Sequence, residues 1–135
     1  MSIVVGFLRS PEGRAALERA ITEARLREKE LLVVHSTRGG ERDEAAEMRA
    51  YRQEFEQLQA DLADRGLQHR VVDYARGNSP AADLLAAATE FDADLLVVGI
   101  RRRSPVGKLV LGSNAQEILL QADCPVLAVK ADAPG

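Results

Sequence analysis

Five short apolar runs recur along the chain, and polar segments with a three- to four-residue apolar repeat separate them. The runs fall within Met1–Phe7, Leu31–His35, His69–Ala75, Leu95–Val98 and Cys124–Lys130. Continuous apolar stretches such as Ile3-Val4-Val5 and Leu95 to Val98 predict strands covered on both faces, as in a parallel sheet. Between them, Ala16, Leu17, Ala20, Ile21, Ala24 and Leu26 predict one face of a helix running from Pro11 to about Lys29, with Ser10 as its cap. Met48, Tyr51, Phe55, Leu58 and Leu62 predict the packing stripe of a second helix over Glu41 to Arg65, ended by Gly66. Asn78 or Ser79 is expected to cap a third helix, Pro80 to Glu90, burying Leu84, Leu85 and Ala88. Gly112-Ser113-Asn114 opens a fourth, which carries Ile118 and Leu119 and ends near Ala122.

Strands alternating with helices, and no hairpin turn, predict an α/β fold: an open five-stranded parallel sheet with helices on both faces and right-handed crossovers. The chain of 135 residues is expected to be a single domain, residues 1–135, with material for one core. Partial alternation in His69–Ala75 and a proline, Pro125, opening the last strand suit edge positions. Ala131 to Gly135 is expected to fray.

Composition narrows the partners. A net charge of −3 argues against nucleic acid and anionic membrane surfaces as partners, with Arg101-Arg102-Arg103 a local exception that suits either a solvated loop or an anion. No apolar run is long enough to span a bilayer, and no secretory signal pattern is present. One cysteine, Cys124, leaves no intrachain disulfide; the expectation is a cytoplasmic protein.

Candidate chemistry concentrates between Val97 and Asn114, where an apolar strand ends at Gly99, a basic loop follows, and a helix begins at Gly112-Ser113-Asn114. Unpaired N–H groups in a first helical turn, reinforced by the helix dipole, favour an anion. An ordinary strand-to-helix crossover capped by Ser113 is the plainer alternative. Gly107-Lys108 fails as a Walker A loop, because Leu109 stands where Ser or Thr is required and Arg102 where a glycine is. His35 has no nucleophile or paired carboxylate placed beside it and reads as structural. Asp92 and Asp94 read as solvent-facing, without a metal, and Cys124 as a packing residue. No catalytic residue is assigned.

Gly99, the position of Arg102, and Gly112-Ser113 nine residues on share the frame of the nucleotide loop in the universal stress protein family, G-x2-G-x9-G-(S/T). Ile3-Val4-Val5-Gly6, Leu32-Val33-Val34-His35 and Asp123-Cys124-Pro125-Val126-Leu127-Ala128-Val129 also resemble that family, so the likeness covers nearly the whole chain. The resemblance implies an adenine nucleotide alpha hydrolase-like, Rossmann-like sheet of order 3-2-1-4-5. It implies a site for ATP or another adenine nucleotide, with accompanying Mg²⁺, where strands 1 and 4 diverge. On this sequence the implied contacts are Gly6, Leu8, Ser36, Val98, Gly99, Arg102, Gly112, Ser113 and Asn114, with the base near Leu8, Ser36 and Val98 and the phosphates at 112–114. Two positions depart from the family pattern: Leu8-Arg9-Ser10 replaces an Asp-Gly-Ser type turn, and Arg102 replaces the second loop glycine. The implied role is a dimeric stress-response module that binds nucleotide, with at most slow ATP hydrolysis. The alternative is a dimeric interaction module whose nucleotide site has lapsed. In either case the homodimer is expected through Val126, Leu127, Ala128 and Val129.

Overall fold

A computed structural model describes residues 2–6, 11–36, 44–74, 79–100 and 113–131. Along the chain run β1 (Ser2–Gly6), α1 (Pro11–Arg27), β2 (Glu30–Ser36), α2 (Glu44–Asp64), β3 (His69–Tyr74), α3 (Pro80–Glu90), β4 (Ala93–Ile100), α4 (Ser113–Gln121) and β5 (Val126–Lys130). All four strand pairings are parallel, in the order β3-β2-β1-β4-β5.

Because side chains alternate across a strand, each central strand feeds two cores. Ile3, Val5, Leu31, Val33, Leu95 and Val97 pack with Ala16, Ala20, Ile21 and Ala24 of α1 and Leu58 and Leu62 of α2. Val4, Leu32, Val34, Leu96 and Val98 pack with Ala81, Leu84 and Ala87 of α3 and Ile118 of α4. Helices therefore cover the central strands on both faces.

Several boundaries and faces depart from the sequence expectation. Leu26 is 72% exposed, because it lies about 200° around the helix from Ala24 and so on the outer side. Glu23 is instead drawn to the flank of the buried stripe, with Arg19 at 3.8 Å and Arg27 at 3.6 Å, one turn either side. Strand β4 extends two residues beyond Val98, so Gly99 is a strand residue paired with Val129. Strand β5 begins after Pro125, whose carbonyl accepts the Leu96 N–H at 3.0 Å. Leu85 and Ala88 are half-buried, while Ala87 is fully buried.

Ends of helices are fixed by local chemistry. Ser79 caps α3 by accepting the Ala82 N–H at 3.1 Å, with Pro80 in the first turn where its missing N–H costs nothing. Arg65 ties the end of α2 to α1 through two contacts with the Glu18 carboxylate at 3.1 and 3.2 Å. That hydrogen bond and charge hold the guanidinium more firmly protonated than usual.

Candidate functional site

Strands β1 and β4 lie side by side, with Val5 opposite Val97, and their connections leave in opposite directions across the sheet. A crevice opens beyond the carboxyl ends of strands at such a reversal. Here it takes the form of a cavity of about 90 Å³. The strands contribute Gly6, Val97, Val98 and Gly99 to its lining. From the α3 and α4 starts come Pro80, Ala81 and Leu84, and Asn114, Ala115 and Ile118.

Two glycines sit at this rim for different reasons. A Cβ placed on Gly99 would overlap the Glu12 carbonyl, whose carbon would lie 2.6 Å away. Gly99 is therefore demanded by the close approach of the α1 backbone. A Cβ on Gly6 would meet the side chain of Leu84, its methyls at 3.1 and 3.4 Å, and no backbone atom as near. The absence of a side chain at Gly6 keeps space open.

Of the residues singled out from sequence, Gly6, Val98, Gly99 and Asn114 come together around one cavity. Ser36 ends β2 in register with Tyr74, and Ser113 is the first residue of α4; their side chains are outside what the structure describes. Leu8, Arg102 and Gly112 fall outside the described residues. Pro80, Ala81, Leu84, Ala115 and Ile118 were not among the sequence candidates. For Pro80, Ala81 and Leu84 the sequence marker was the Ser79-Pro80 cap, which starts α3 at the carboxyl rim of the sheet and puts its first turn against the opening.

The other chemically suggestive residues lie elsewhere. Asp94 pairs with Lys29 at 3.4 Å at the start of β4, at the end of that strand away from Gly99. Among the described residues no cluster of three His, Cys, Asp or Glu side chains could hold a metal ion. Cys124 packs against the α3/α4 core, and burial pushes its thiol up from the ordinary value, with Asp123 and Asp94 adding to the effect. A thiol held protonated in this way is a poor nucleophile. No described helix is long and apolar enough to cross a membrane.

In doubly wound parallel sheets, a crevice at the strand reversal is the place where small ligands are held. The chain belongs to the universal stress protein family, which it matches over residues 1–130. A universal stress protein of Mycolicibacterium smegmatis is 44% identical over 128 residues, covering 95% of this chain and 96% of the relative. A universal stress protein of Archaeoglobus fulgidus superimposes with a TM-score of 0.80 at 35% identity, over 96% of this chain and 98% of that one. A second A. fulgidus structure, a universal stress protein in complex with dAMP, has a TM-score of 0.74 at 30% identity, over 96% and 98% of the two chains.

Proposed function

We propose that this protein binds an adenine nucleotide at the β1/β4 rim and acts as a dimeric regulatory module in a stress response, without a catalytic residue of its own. The observation that carries this reading is the meeting of Gly6, Val98, Gly99 and Asn114 around one cavity at the strand reversal. The A. fulgidus relative that binds dAMP supports the choice of adenine. The phosphates would be held at the start of α4 by Gly112, Ser113 and Asn114, where helix N–H groups favour anions. Arg102, Arg103 or Lys108 would supply countercharge, and Mg²⁺ would accompany a triphosphate. The dimer would form through β5, whose Val126–Lys130 backbone pairs with β4 on one side only. Leu119 and Leu120 on the preceding helix are 42% and 85% exposed, which favours a covered surface nearby.

Thermal unfolding with AMP, ATP plus Mg²⁺, or inorganic phosphate tests the nucleotide. Ligand at a hundred times its Kd stabilises by about 2.7 kcal/mol, a rise in Tm of roughly 5 to 10 °C for a domain of this size. A rise with AMP or ATP beyond that with phosphate is expected. No rise overturns the nucleotide reading and favours the interaction module, the reading that Leu8 and Arg102 support.

A further inference from the structure

Strand β5 lies at an edge of the sheet, and among the described residues only β4 pairs with it. A parallel ladder engages alternate residues of a strand, so every second residue turns its N–H and C=O groups the other way. The Leu96 N–H donates to the Pro125 carbonyl at 3.0 Å, and Leu96 stands in register with Val126. This phase commits the main-chain groups of Leu127 and Val129 to β4 and aims those of Val126, Ala128 and Lys130 at the open edge. An edge of this kind is a template for another strand. Its ends carry opposite charges, with Asp123 exposed before the strand and Lys130 exposed at its last position. An antiparallel second copy sets each Lys130 end against an Asp123 end, so the edge complements itself.

We infer that a second copy joins β5 antiparallel with the two-fold axis through Ala128, so that Ala128 faces Ala128 and Val126 faces Lys130 across the seam. This rests on the dimer reading above and gives it a register. Hydrogen-bonded pairs of an antiparallel ladder exchange both their bonds, so outward-turned residues must meet outward-turned residues. With the axis at Ala128, Val126, Ala128 and Lys130 all find partners inside the strand. An axis at Leu127 moves Lys130 opposite Cys124, and an axis at Val129 moves Val126 opposite Asp132, in each case a residue outside the strand. The side chains of Leu127 and Val129 stay on the α1 face, where they already pack. Identical side chains meet on the axis, about 5.5 Å apart at the Cα atoms; Ala128 brings no charge there to repel its copy.

Sedimentation velocity on the parent and oxidative cross-linking of cysteine variants test the seam, the latter in a Cys124→Ala background. Leu127→Cys and Val129→Cys are oxidised each alone and co-expressed. With the axis at Ala128, Leu127 lies opposite Val129 of the second copy in a non-hydrogen-bonded pair, about 4.5 Å apart at Cα and within disulfide reach. Like residues then lie diagonally, about 7–8 Å apart and beyond it. Covalent dimer is expected from the co-expressed pair and from neither variant alone. Covalent dimer from Leu127→Cys alone or from Val129→Cys alone puts the axis on that residue, overturning the register and leaving the dimer standing. A dimeric parent with no covalent product from the co-expressed pair overturns the register too. A parent that sediments as a monomer overturns the dimer reading as well. Ala128→Glu, a change at an exposed position, reads the same seam without a thiol. Its two carboxylates meet across the axis and raise the dimer Kd by about threefold. With the axis at Val129 the new carboxylate faces Lys130 and the Kd falls, and either a fall or an unchanged Kd overturns the register.

Discussion

The two faces of the sheet finish differently at the same rim. On the α1/α2 side, helix backbone closes directly over Gly99, leaving no room for even a methyl group. On the α3/α4 side, Gly6 faces the side chain of Leu84, and a cavity remains between the helices. One face is therefore sealed by main chain and the other left open, although β1 ends in a glycine and β4 carries one a single residue before its end. Glycine at a strand end has opposite physical uses, close approach and vacant space, and only the packing partner distinguishes them.

The contrast predicts unequal costs for equivalent truncations. Leu62 is fully buried in the sealed face, so Leu62→Ala should cost about 4 kcal/mol, near the upper part of the range for such changes. That corresponds to a fall in Tm of about 15 °C. Ile118 is buried to a similar degree, but one side of it already borders the cavity. Ile118→Ala should cost about 2 kcal/mol, since fewer contacts are lost per methyl removed. Urea unfolding of both variants measures the difference. Equal costs would mean that the cavity is closed by side-chain motion in solution.

Additions test the same contrast from the other direction. Gly99→Ala forces a Cβ against backbone that can move only with the whole of α1, and should cost about 3 kcal/mol. Gly6→Ala asks only for a small turn of Leu84, and should change stability by less than about 1 kcal/mol. Its effect falls on binding: the methyl narrows the cavity, and AMP affinity should drop by about tenfold. A Gly99→Ala protein as stable as its parent would show that α1 does not rest on β4 in this way.

Much of the fold was legible in the sequence because its cause is local. Apolar runs at Ile3–Val5, Leu31–Val34 and Leu95–Val98 mark buried strands, and Ser79-Pro80 places the start of α3 to the residue. The strand order came from family resemblance; local patterns do not encode which strands become neighbours. Leu26 was misassigned because an apolar residue near the end of an amphipathic segment was counted with a face it lies opposite. At the site, Gly99 was visible through its spacing from Gly112-Ser113, but its packing against Glu12 is a contact over nearly ninety residues and has no local marker. Pro80, Leu84 and Ile118 were seen as helix and core residues, and only the assembled rim shows that the same side chains wall a cavity.

The smallest predicted effect lies where the two faces use the same device. Helices α1 and α3 each end on a residue with left-handed backbone, Glu28 with φ 55° and Asp92 with φ 52°. Helix α2 ends in the same way on Gly66, φ 65°, and closes with the Gly66 N–H to Ala63 and the Leu67 N–H to Leu62 carbonyl bonds, at 3.0 and 3.3 Å. Around Glu28 the pattern repeats, with the Glu28 N–H on Arg25 and the Lys29 N–H on Ala24, at 3.3 and 2.9 Å. Glu28 thus holds a conformation that costs a Cβ-bearing residue about 1–2 kcal/mol, and sets a carboxylate near the negative end of the helix dipole. Substituting glycine relieves both but gives back about 0.5–1 kcal/mol in unfolded-chain entropy. Glu28→Gly should therefore raise stability by about 0.5 kcal/mol, a Tm increase of about 2 °C. Asp92→Gly should gain less, because aspartate tolerates the left-handed region better than glutamate. Calorimetric scans of the two variants side by side measure this order, and a larger gain at Asp92 would show that the charge at the helix end outweighs the backbone strain.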